Sequence, residues 1–142
     1  MICSYCFYGS GKATAKEFFG IDNAIPDLLR ELQGNPGLEI TVAADFDDVC
    51  EICPIKMPEG CGRGEGAEGG IAAQNEKLRR WDRVILGRLG LQVGETIIAR
   101  DLEQRLRERI PDVGEICTNC TSASPSGFAE YRRAIKKGLW PE

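Results

Sequence analysis

Seven cysteines in 142 residues carry most of the chemistry this sequence offers, and they are unevenly spaced. Cys3 and Cys6 form "CSYC". Cys50 and Cys53 form "CEICP", with Cys61 following, and Cys117 and Cys120 form "CTNC". Two residues between cysteines let both sulfurs address one metal ion or one edge of a cluster, while the intervening backbone N–H groups turn toward the thiolates. The chain has no histidine. That removes the commonest general base and the nitrogen half of mixed zinc sites, so a site must be built from sulfur or carboxylate. All seven cysteines are therefore candidate metal ligands. The preferred set for a cofactor is Cys50, Cys53 and Cys61 with Cys3 or Cys6, because one helical hairpin and a short strand separate the N-terminal pair from the central loop.

Zinc and iron–sulfur clusters both accept four thiolates. Pro54 directly after Cys53 matches a feature of the bacterial ferredoxin run, although the full C-x2-C-x2-C-x3-C spacing is absent. Two clean C-x2-C knuckles at the chain ends suit a zinc ribbon equally well, so spacing leaves both metals open.

The elements that must position these sulfurs follow from hydrophobic periodicity. Phe18, Phe19, Ile25, Leu28, Leu29 and Leu32 give a helical pattern interrupted at Gly20, with a second helix entered near Pro26 and stopped by "GNPG" at 34–37. Leu38, Ile40 and Val42 alternate with Glu39 and Thr41, which predicts a short strand delivering the chain to the central cysteines. The glycine-rich stretch 60–70 reads as loop, either a flexible connection or a lid beside a metal. Leu78, Trp81, Ile85 and Leu89 form one stripe of an amphipathic helix ending at Gly90. A further helix is expected from about Thr96 to Ile110, with Ile98, Leu102, Leu106 and Ile110 inward, and a last one carrying Phe128, Tyr131 and Ile135. The expected fold is a helix-rich α+β single domain over 1–142, with a short strand or small sheet and cysteine loops that bind metal.

Composition bounds the rest. A chain of 15.6 kDa suits one core, and 42% apolar with 28% charged residues suits a soluble protein. No apolar run approaches the roughly 18 residues needed to span a bilayer, so no membrane association is expected. The first twenty residues lack a basic stretch leading into an apolar one, so a cytoplasmic location is expected. Thiols stay reduced there, and an odd number of cysteines argues for metal or redox chemistry over a disulfide framework. A net charge of −4 gives no broad footprint for nucleic acid.

The combination "DDVCEICP", then "GC", then "WDRVILGRLGLQVGE" resembles an uncharacterised family of short bacterial and archaeal proteins, a domain of unknown function suggested to bind an iron–sulfur cluster. That family opens with a His-His-x-x-Cys motif before a glycine-containing stretch and a helix. "CSYCFYGSGKATAKEF" is similar, with Cys6 at the cysteine and Cys3 where the second histidine would stand. The resemblance covers roughly residues 1–120. It implies a second cysteine patch near the C-terminus, matched by Cys117 and Cys120, while a further downstream cysteine is missing.

Other motifs carry less. "GSGKAT" at 9–14 departs from a P-loop, since Cys6 occupies the first glycine position and Ala13 replaces the magnesium-binding hydroxyl. One of Asp45, Asp47 and Asp48 reads as a helix cap for the turn carrying Cys50 and Cys53. The run "YRRAIKK" reads as a solvated helix face, with docking to an acidic partner as its functional alternative. The function expected is [4Fe–4S]-type iron–sulfur binding in a redox or accessory module, with a redox protein as partner. The alternatives are a zinc-stabilised interaction domain tying Cys3 and Cys6 to Cys117 and Cys120, or a small enzyme using an open iron of a three-cysteine cluster. Sequence does not decide whether the protein is an enzyme, nor its oligomeric state.

Overall fold

The computed structural model describes residues 1–44, 46–117, 120 and 128–141. It is a helix-rich α+β arrangement in which helices α1 (Ile2–Ser10), α2 (Ala15–Phe19) and α3 (Ile25–Gly34) precede strand β1 (Glu39–Thr41). The central cysteine segment contains the short helix α4 (Asp48–Glu51) and a hairpin of β2 (Lys56–Met57) and β3 (Gly60–Cys61). Beyond it run α5 (Gly70–Leu89), β4 (Thr96–Ile98), α6 (Ala99–Arg109) and α7 (Ala129–Lys137).

Local chemistry sets the boundaries. Thr14 caps α2, its hydroxyl accepting from the Glu17 amide at 3.2 Å. Gly20 ends that helix in the left-handed region at φ 79°, the interruption expected from the sequence. Pro26 lies in the first turn of α3, where its missing N–H has no partner to lose. β1 pairs antiparallel with β4, Glu39 opposite Ile98 and Thr41 opposite Thr96.

One element was not foreseen, and two expectations are corrected here. Residues 2–10 form a helix that the periodicity did not announce, because Ile2, Ser4, Tyr5 and Phe7 are all buried and leave no clean polar stripe. Residues 96–98 are strand, not the first turn of a helix; two consecutive β-branched isoleucines favour the extended state beside β1. The glycine-rich stretch is loop only in part, as exposed turns at 65–69. It holds β3 and a 3-10 turn at Gly62–Gly64, where a Cβ on Gly64 would overlap the Ile71 backbone of α5.

The core lies between α1, α3, α6 and α7. Tyr5 and Tyr131 are fully buried and meet edge to face, with centroids 6.2 Å apart. Around them pack Leu32, Leu106, Ile110 and Val113, each at most 1% exposed; Leu106 and Ile110 are inward as expected, whereas Ile97 is buried where Ile98 was expected to be. Buried polar groups are paired. The Tyr131 hydroxyl donates to Ile110 O at 2.7 Å, and the Tyr5 hydroxyl donates to Glu103 Oε2 at 2.6 Å. Glu103 Oε2 also accepts from the Leu139 amide at 2.7 Å, and Arg107 donates to its other oxygen at 3.2 Å. One carboxylate thereby joins α1, α6 and the C-terminal tail. Trp140 completes the attachment, its indole N–H donating to Leu32 O at 3.0 Å. Among the described residues no helix is long and apolar enough to cross a membrane.

Candidate thiol centre

Cys3 and Cys6 lie three residues apart on α1, so both sulfurs leave the same side of that helix. The same side meets α7, where Gly9 allows so close an approach that a Cβ there would overlap the Glu130 carbonyl. The C-terminal pair follows a helical turn in which the Cys117 amide donates to Val113 O at 2.9 Å and the Cys120 amide to Cys117 O at 3.2 Å. That turn is anchored by Asp112. Its side chain accepts from the Gly114 amide at 2.9 Å and pairs with Arg132 of α7 at 3.1 Å. The Gly114 hydrogen bond, reinforced by the Arg132 charge, holds the Asp112 carboxyl below its usual range.

The two pairs come from opposite ends of the chain and share one neighbourhood. Cys3, Cys6 and Cys120 line a cavity of about 20 Å³ with Phe18, Phe19, Phe128 and Glu130, room for about one water. Burial pushes the Cys6 thiol well up, and negative charge on Cys3, Cys117 or Cys120 would push it further. Cys117 is pushed up to about 12, first by burial and then by Cys3 and Cys120. Cys3 is raised as well. Although residue 3 as a whole is exposed, enough protein surrounds its sulfur for desolvation to lead, with Cys120, Asp82 and Asp47 adding to it. Cys120 thus acts on all three of its companions. Cys3, Cys6 and Cys117, so placed, stay protonated at neutral pH unless a cation takes the place of their protons.

Phenylalanines wall this neighbourhood. Phe18 and Phe19 meet edge to face at 4.7 Å, and Phe7 stacks on Phe19 at 6.1 Å. Such a wall lowers the local dielectric and keeps water from sulfur.

Cys50, Cys53 and Cys61 occupy the central loop. Asp47 caps α4, its Oδ1 accepting from the Cys50 amide at 3.1 Å, which bears out the cap reading; Asp45 lies outside the described residues. Burial leads in pushing Cys50 up to about 11, and Cys53 contributes. Cys61 is fixed by a residue that sequence reasoning missed. Asn75 of α5 is buried, accepts from the Cys61 amide at 3.1 Å and donates to Glu59 O at 2.9 Å. Gly60, at φ 140°, lies so close that any Cβ would overlap the Asn75 amide. The central group borders the other through Asp47, whose charge reaches Cys3.

All seven cysteines are free thiols. Among the described residues, no three cysteine, aspartate or glutamate side chains are drawn together tightly enough to hold an ion as they stand. Phe18, Phe19 and Phe128 were read from sequence only as apolar positions of helices, and Glu130 and Asp82 were not singled out. Their proximity to sulfur depends on contacts between distant segments.

Residues 15–124 match the family model described as "Protein of unknown function (DUF1284)", and the chain belongs to that family. The matched span includes the central cysteines and the Cys117–Cys120 pair and begins after Cys3 and Cys6. No curated protein and no solved structure matches the chain.

Proposed function

We propose that this member of a domain-of-unknown-function family binds an iron–sulfur cluster of the [4Fe–4S] type and serves a partner protein as a redox or accessory module. The observation that carries the reading is the shared neighbourhood of Cys3, Cys6, Cys117 and Cys120, desolvated around the first three, in which Cys120 bears on all three of the others. The ligand set it points to differs from the one spacing alone preferred. Cys50, Cys53 and Cys61 then form a second thiol group beside it.

The donor set fits such a group chemically. Thiolates are the usual ligands of these clusters, and four are at hand. Burial and mutual repulsion keep free thiolates from forming, so the positive charge of the metal must offset the loss of the protons. The phenylalanine wall would tune the potential by excluding water. A zinc ion is the second reading. It is favoured by the origin of the two C-x2-C pairs in opposite ends of the chain, since structural zinc sites tie distant segments together and contribute folding energy.

Purification without oxygen, with iron, zinc and acid-labile sulfide measured per chain, tests the proposal. About four iron and four sulfide are expected, with a broad absorbance that dithionite bleaches. About one zinc without sulfide would replace the cluster by the second reading. A chain that retains neither metal would overturn both. Cys120→Ser should empty the site and Cys61→Ser should leave it filled; the opposite pattern would move the ligands to the central loop.

A further inference from the structure

The seam between α1 and α7 has a second end, away from the cysteines, which the thiol centre does not use. A cavity of about 230 Å³ opens there, lined by Tyr8 to Gly11 of α1 and its cap and by Arg133, Ala134 and Lys137 of α7. At about 30 Å³ per water that is space for roughly eight waters, below the usual range for drug-sized ligands and suited to a compact molecule. From this cleft we infer that the protein binds a small multivalent oxyanion, a phosphate or carboxylate group, held between Arg133 and Lys137.

Charge gives the class of ligand. Arg133 and Lys137 are four residues apart on α7 and face the same cavity, a like-charged pair that weakens a helix unless an anion lies between. Among the described residues no acidic side chain lines the cavity. The chain as a whole is negative at −4, so this concentration of positive charge runs against its general field.

The carbonyl end of α1 would repel an anion if left bare, but three of its carbonyls are engaged. The Ser10 hydroxyl donates to Phe7 O at 2.6 Å, the Gly11 amide to Tyr8 O at 3.4 Å, and Arg133 Nη2 to Gly9 O at 3.2 Å. A guanidinium has five N–H donors, so the bond to Gly9 leaves the fork able to hold an oxyanion. Lys137 lies with Nζ 5.1 Å from the centre of the Tyr8 ring, which orients its ammonium at the cavity edge. The "GSGK" stretch therefore takes part in an anion site without the P-loop geometry it superficially suggests. It ends a helix and does not begin one, and the positive charge comes from α7.

Calorimetric titration of the full chain with sodium pyrophosphate and, separately, sodium malonate tests this, with ionic strength matched by sodium chloride. Saturable binding of at least one is expected, and which one binds assigns the phosphate or carboxylate source. Lys137→Ala, which leaves the Arg133–Gly9 bond in place, should weaken that binding at least tenfold. Lys136→Ala, on an exposed residue outside the cavity lining, should leave it within twofold. No saturable binding of either anion overturns the inference, as does equal weakening by both substitutions, which would reduce the effect to general surface charge.

Discussion

Asn75→Ala is the perturbation that most directly tests how the central cysteine loop is held. The substitution removes an acceptor at 3.1 Å from the Cys61 amide and a donor at 2.9 Å to Glu59 O. Both partners are partly buried, so each loss costs about 1–1.5 kcal/mol, or about 2–3 kcal/mol together. Alanine favours the α5 helix over asparagine by about 0.5 kcal/mol, which leaves a net loss of about 2 kcal/mol. For a chain of this length, unfolding entropy near 2.1 cal/mol/K per residue sums to about 0.3 kcal/mol/K, so Tm should fall by about 7 °C. Urea unfolding should show a lower midpoint with an unchanged slope, and hydrogen exchange should show faster exchange at the Cys61 amide. A loss under about 0.5 kcal/mol, or an unchanged Cys61 amide, would refute the claim that Asn75 fixes this loop.

Two further outcomes follow from the core and the thiols. Tyr5→Phe removes a hydroxyl donating to the buried Glu103 carboxylate and should cost about 2 kcal/mol by urea unfolding, more than the roughly 1 kcal/mol for Tyr131→Phe, whose acceptor is a neutral carbonyl; equal losses would refute the charge-assisted account. Cys50 and Cys117 are raised to about 11 and about 12 on folding, so the metal-free unfolded chain binds fewer protons once pH passes the ordinary thiol value near 8.5. Stability from these thiols is whole below pH 8.5 and is lost as pH rises toward 11–12. Urea midpoints of metal-free protein should decline from pH 8.5 to 11 and be flat from 7 to 8, and a rise over the alkaline range would contradict burial of the thiols.

What the sequence disclosed was local. The ends of α3 and α5 were readable because proline, asparagine and glycine act within a turn of where they stand, and Leu102, Leu106 and Ile110 were readable because α6 is strongly one-sided. The C-x2-C pairs were plain as candidates. Which pairs meet was not, because that depends on α1 lying against α7 and on Val113 to Cys117 turning beside them, contacts spanning more than a hundred residues. β4 was hidden because Ile98 and Leu102 stand four apart and imitate a helical stripe across the junction with α6. Glu103 and Asn75 were invisible for another reason. Both are polar residues that periodicity assigns to the surface, and only the partners waiting inside make their burial tolerable.

Glu103 also governs how the molecule can come apart. The same carboxylate oxygen serves Tyr5 from α1 and the Leu139 amide from the tail, with Arg107 on its other oxygen. If the tail peels away while the rest stays closed, the carboxylate loses its Leu139 donor, a bond worth roughly 1.5–3 kcal/mol, and the Trp140 anchor on Leu32 goes with it. Release of the last residues is therefore opposed by the same carboxylate that holds α1 to α6. The exchange rate of the Leu139 amide should track that of the innermost helices, although it lies a few residues from the end of the chain.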